Sequence, residues 1–111
     1  MSSVRVVGPK MQAVPNPFSP GGLIQLSVTL IDTAAPPGSK STRVLRLNLH
    51  PSSGLTFAGG TTFVDRTRML GADPTPVTFD ERIGGNTTGF GFNIGLFDAG
   101  DLVDSVDVTV V

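Results

Sequence analysis

His50 is the sole histidine in this chain of 111 residues and cysteine is absent. The side chains most used near neutral pH as general base, nucleophile or transition-metal ligand are therefore almost missing. A multi-histidine zinc or iron site cannot be assembled from one imidazole. A Ser/His/Asp arrangement can be written around His50 with Ser52 or Ser53, yet both serines sit in a Pro-Ser-Ser-Gly turn and no Gly-x-Ser-x-Gly elbow occurs. Asp80 and Glu81 are adjacent carboxylates; on a strand, neighbours point to opposite faces, so the pair would not converge on one substrate. Asp98, Asp101, Asp104 and Asp107 supply oxygen ligands of the kind a hard cation takes, without the spacing of an EF-hand loop. Asp98 and Asp101 are the candidate metal ligands. The run Gly89 to Gly95 contains the glycines of a nucleotide-binding loop, but the third is out of register and the run alternates like a strand. Asn86-Thr87-Thr88 is a formal glycosylation sequon, with meaning only in a secreted eukaryotic protein. No catalytic residue is assigned and no cofactor is expected.

The elements that would carry these residues are strands. Ile24, Leu26, Val28 and Leu30 share one face, with Gln25, Ser27 and Thr29 on the other. Leu45, Leu47 and Leu49 alternate against Val44, Arg46 and Asn48, and Val106, Val108 and Val110 face one way near the end. Phe90, Phe92 and Ile94 alternate with Gly89, Gly91, Asn93 and Gly95, a strand whose outer face has almost no side chains, so that another surface can approach its backbone. Val77 and Phe79 share a face, whereas Arg66 to Leu70 reads as either strand or helical turn. Ser3 to Val7 and Met11 to Val14 read as a split first strand broken by Gly8-Pro9. Pro36-Pro37-Gly38, Pro51 to Gly54, Gly59-Gly60, Pro74 to Pro76, Gly84-Gly85-Asn86 and Asp98 to Asp101 punctuate the rest.

Turn signals at this spacing, 14 glycines, nine prolines and about seven to nine strands predict an all-β sandwich of immunoglobulin-like type with Greek-key connections. Its predicted core is Ile24, Leu26, Val28, Leu30, Leu45, Leu47, Leu49, Leu55, Phe57, Phe79, Phe90, Phe92, Ile94, Val106, Val108 and Val110. The length suits one domain, with residues 1–20 as an N-terminal arm and split first strand and 21–111 as the sandwich. Charged residues are only 15% and the formal net charge is -1, so no global field would draw in nucleic acid. No run of about 18 apolar residues is present to span a membrane, and the start has no apolar stretch of the kind a signal peptide needs.

The stretch Leu49-His50-Pro51-Ser52-Ser53-Gly54-Leu55-Thr56-Phe57, then Phe92-Asn93-Ile94-Gly95-Leu96, then Ala99-Gly100-Asp101 and a Val/Thr-rich closing strand, resembles the immunoglobulin-like conserved repeat domains of bacterial and archaeal surface proteins. The resemblance covers roughly residues 23–32 and 48–111. It implies a sandwich exported as part of a longer surface protein. A short, single chain without a leader is also similar to immunoglobulin-like phage capsid decoration proteins, which implies synthesis in the cytosol and a place on a virion.

The expectation is therefore a structural, non-enzymatic protein with protein partners, self-assembly into a homo-oligomer included. The setting is a virion or, as the alternative, a cell surface where the domain is adhesive or a spacer. A carbohydrate- or calcium-binding sandwich is the third reading. Pro9, Pro15, Pro17 and Phe18 of the arm, and Gly89, Gly91, Asn93 and Gly95 of the glycine-faced strand, are the expected partner contacts.

Overall fold

The computed structural model describes residues 2–50, 53–86 and 89–111. Within them the chain forms nine strands: β1 (Val4–Val6), β2 (Gln12–Val14), β3 (Leu23–Asp32), β4 (Lys40–Leu49), β5 (Leu55–Phe57), β6 (Phe63–Gly71), β7 (Thr75–Gly85), β8 (Gly91–Asp98) and β9 (Asp101–Thr109). Two antiparallel sheets pack face to face. One is ordered β1-β3-β7-β5, with β2 also paired to β3, and the other β6-β4-β8-β9. Consecutive strands β3 and β4 lie in different sheets, as do β7 and β8, and each pairs with its counterpart across the chain, β3 with β7 and β4 with β8. This is the Greek-key sense of connection, and it makes the central strands of each sheet distant in sequence.

Alternation decides which side chains enter the core. In β3, Ile24, Leu26, Val28 and Leu30 are buried, and in β4 Leu45, Leu47 and Leu49 are wholly buried. Within the same sheets, β7 adds Val77, Phe79 and Ile83 to the inner face that carries β3, while Phe92, Ile94 and Leu96 of β8 and Val106 and Val108 of β9 add to the inner face that carries β4. Arg66 to Leu70 belongs to one extended strand, β6, paired along its length with β4. Its ambiguity in sequence came from two arginines, Arg66 and Arg68, which share the inward phase of Val64 and Leu70.

Two core assignments need correction. Phe90 is 93% exposed, because β8 begins only at Gly91 and the alternation does not extend back through the bend at Gly89 and Phe90. Val110, beyond the end of β9, is only partly buried.

The first 20 residues pack into the sandwich. β1 and β2 pair with β3, Val4↔Asp32 and Ala13↔Leu26 being in register. The chain then changes sheet: the Phe18 amide donates to the Thr109 carbonyl at 2.7 Å, and the Val111 amide donates to the Phe18 carbonyl at 3.0 Å, a parallel bridge onto the strand after β9. Val4, Met11, Ala13 and Phe18 are buried members of the core. Phe18 meets Phe92 edge to face with ring centroids 6.0 Å apart.

Candidate functional site

The densest polar grouping lies at the end of the sandwich formed by Ser2, Ser3, the end of β3 and the turn between β8 and β9. Asp32 is 1% exposed. Its carboxylate accepts from Ser3 Oγ at 2.6 Å, Ser41 Oγ at 2.8 Å, Arg43 Nε at 2.9 Å and the Ala34 amide at 3.0 Å. Burial alone would raise the Asp32 pKa, but the bonds from Arg43, Ser3, Ala34 and Ser41 outweigh it and hold the carboxyl well below the usual carboxylate range. Arg43 Nη2 also donates to Ser3 Oγ at 2.6 Å, and its Nη1 lies 3.7 Å from Asp98 Oδ2, which accepts from Ser2 Oγ at 2.6 Å. Among the described residues no buried side-chain donor or acceptor lacks a partner, and the cluster fastens the N-terminal segment. Ser41 and Arg43 carry a legible signal, since they continue the phase of Leu45, Leu47 and Leu49 and must point inward.

This cluster accounts for one candidate metal ligand. Asp98 is 3% exposed and already faces a guanidinium, so a cation there would compete with Arg43. Asp101 is half-buried and pairs in register with Asp98. Asp104 accepts from the Met11 amide at 2.6 Å and Asp107 from Asn93 Nδ2 at 2.9 Å. Asp98 thus closes β8 while Asp101, Asp104 and Asp107 lie along β9, and Asp98, Asp104 and Asp107 are held by separate internal partners. Asp80 is exposed, whereas Glu81 is buried and held by Arg66, as divergent strand neighbours must be. Ser53 Oγ accepts from the Leu55 amide at 3.1 Å and caps its own turn. Ser52, and Thr87 and Thr88 of the sequon, lie outside the described residues.

Among the expected contacts, Phe18 is corrected first: at 1% exposure it is core, because the parallel bridge to Val110 turns its ring inward. The outer face of β8 is also not bare. A Cβ on Gly95 would stand 2.7 Å from the Phe97 ring, which leans over that glycine and buries it. A Cβ on Gly91 would stand 2.7 Å from the Val108 carbonyl oxygen. At Gly95 the chain's own Phe97 takes the place a partner would need, whereas Gly91 lies against the β9 backbone and remains exposed. Asn93 is half-buried and bonded to Asp107. Pro9 is exposed on a shallow groove over β3, shared with Lys10, Gln12, Thr29 and Pro76.

Pro15, Pro17, Gly89 and Gly91 are exposed and brought to one pole, where the start of β3, the end of β7, the start of β8 and the end of β9 meet. The pole also exposes Phe90 at 93%, Val14 at 61% and Leu23 at 58%. Phe90 sits beside this arm, for its carbonyl accepts from the Val110 amide at 2.8 Å in the row that contains Phe18. Val14 and Leu23 were missed as surface residues although each carries a signal. Val14 is out of phase with buried Ala13, and Leu23 with buried Ile24 and Leu26, so both must point outward.

No protein-family model and no curated protein sequence matches this chain. Solved structures of similar fold include the alkylpurine DNA glycosylase AlkC of Pseudomonas fluorescens bound to DNA containing an abasic site analog, at 16% identity and a TM-score of 0.65. The match covers 98% of this chain and 30% of the glycosylase chain. At that identity the likeness bears on the fold.

Proposed function

We propose that this chain is a non-enzymatic, immunoglobulin-like assembly domain that decorates or stabilises a phage capsid, docking on a protein partner through the pole around Phe90. Support for the immunoglobulin-like reading comes from the strand order, β1/β2-β3-β7-β5 against β6-β4-β8-β9, with the first strand passing from one sheet to the last strand of the other. The observation that carries the docking surface is the exposure of Phe90, 93%, at the same end of the sandwich as exposed Val14, Leu23, Pro15 and Pro17. Apolar side chains gathered at one end of a small protein mark an interaction site more often than single ones scattered over its surface do. The neighbouring glycosylase's DNA is not carried over. Arg43, Arg46 and Arg66 are each engaged by a carboxylate, which lowers the cationic charge they offer to phosphates.

Particles purified from the organism that makes the chain, analysed by mass spectrometry, are expected to contain it in fixed proportion to the major capsid protein. Its confinement to the soluble fraction would overturn the virion setting. Phe90→Ser is expected to abolish particle binding while leaving the fold unchanged.

A second reading, a spacer in a string of exported domains, is favoured by one feature. Ser2 is fixed beside Asp98 at one end of a body 46 Å long, and Val110 lies at the opposite pole. A full reading frame with tandem copies of the domain would select that reading over the first.

A further inference from the structure

One flank of the sandwich is built from two sheet edges with no strand between them. On β6 the Leu49 amide bonds to the Thr62 carbonyl, which sets the ladder so that residues 64, 66, 68 and 70 bond to β4. The backbone groups of Phe63, Asp65, Thr67 and Met69 therefore point to the open side. On β7 the Ile83 amide bonds to the Gly22 carbonyl and the Ala58 amide to the Arg82 carbonyl, so the even residues face away from β3. β5 covers only Ile83 to Gly85. Pro76, Thr78 and Asp80 are left along an uncovered edge, where the proline's missing N–H costs no ladder bond.

Two arginines close this flank. Arg66 Nη1 donates to the Asp65 carbonyl at 2.9 Å, while its Nε and Nη2 hold both oxygens of Glu81 at 2.8 and 2.7 Å. Arg68 Nη1 donates to the Thr67 carbonyl at 2.8 Å and Nη2 to the Thr78 carbonyl at 2.9 Å, with its guanidinium carbon 4.7 Å from the centre of the buried Phe79 ring. A single guanidinium thus caps outward-facing carbonyls on both edges, doing with side-chain N–H groups what a bridging strand would do with backbone ones.

We propose that Arg66 and Arg68 form an autoinhibitory lock on these edges, and that opening the lock exposes β6 to antiparallel pairing with β6 of a second copy of this chain. The occupant follows from the edge itself. Two identical edges related by a two-fold axis through Thr67 bring each outward N–H opposite an outward carbonyl and Asp65 opposite Met69 on the outer side, while on the inner side Arg66 would face Arg68 of the second copy, a like-charge opposition that reinforces the lock and that loss of the Arg68 charge removes. The carbonyls that such pairing needs, those of Asp65 and Thr67, are the ones the arginines occupy. This surface is separate from the pole around Phe90.

Arg68→Met tests the lock, because the thioether keeps cover over Phe79 and removes both donors. The experiment uses a Phe90→Ser background, so that docking through the pole contributes nothing. Analytical ultracentrifugation is expected to show the parent as a monomer and Arg68→Met moving to twice that mass as concentration rises. Amide hydrogen exchange at Thr67 and Met69, rapid in the parent, is expected to slow only in the associated form. Adding Met69→Pro, which removes an outward N–H, is expected to restore the monomer. A folded Arg68→Met chain that stays monomeric, or a dimer in which those amides still exchange rapidly, overturns the proposal. Should circular dichroism show Arg68→Met unfolded, Arg68→Leu carries the same test, since it removes both donors and the charge while keeping apolar cover over Phe79, and a folded, monomeric Arg68→Leu overturns it equally.

Discussion

Asp32 shows how much depends on one buried charge. Its carboxylate accepts four hydrogen bonds, one of them from Arg43, and an amide in its place loses the charge facing that guanidinium and turns one acceptor oxygen into a donor that points at donors. Asp32→Asn is expected to cost about 3 kcal/mol of unfolding free energy at neutral pH, measured by urea titration. The folded chain takes up a proton at Asp32 only well below the ordinary value of 3.8, so the unfolded chain binds more protons across that range. The stability due to this residue is therefore complete above about pH 5 and is lost as the pH falls through the ordinary carboxylate range and below. The gap between parent and Asp32→Asn is expected to narrow on acidification; a gap that stays constant from neutral pH to below 3.8 would contradict the assignment. By contrast the Arg46 and Asp65 pair, over the Phe63 ring, is 49% and 42% exposed, and its effect is expected to fade with added salt.

At the scale of elements, the arm is the part of the fold least legible in sequence. β3, β4 and most of β8 and β9 could be read directly, because single-period alternation of Ile, Leu, Val and Phe against polar residues or glycine survives wherever one face is buried. Met11 and Phe18 gave no such pattern. They lie among prolines, in short segments of three residues or a lone bridge, and are buried by contact with β9 at a separation of more than 90 residues. β6 was obscured for another reason, its inward face being half arginine. The polar cluster was legible in part through the phase of Ser41 and Arg43, but not through Ser2 and Ser3, whose roles depend on the path of the arm. If the arm is an integral strand, Phe18→Ala must open a core cavity. It is expected to destabilise the chain by about 3–5 kcal/mol, and a change below about 1 kcal/mol in a denaturant titration would show the arm to be a loosely held tail.

For the molecule as a whole, two surfaces carry the weight of the functional reading, one apolar and open, the other polar and shut. Phe90 contributes almost nothing to the folded core, so Phe90→Ser is expected to leave the midpoint of thermal unfolding unchanged, within about 0.5 kcal/mol in stability, while docking is lost. A variant that both unfolds more easily and still docks would refute the assignment of the pole. The parallel bridge at Phe18 has a mechanical consequence. The segment from Ser2 to Phe18 runs the length of a 46 Å body, fixed at one end by Asp98 and Asp32 and at the other by Thr109 and Val111. Tension applied between the two chain ends would draw the arm along β9 rather than peel it away, loading the Phe18 bonds and the Asn16 contacts to Asp107 and Thr109 together. In single-molecule extension, Asn16→Ala is expected to lower the unfolding force more than it lowers equilibrium stability, which would make the arm a tension-bearing clasp.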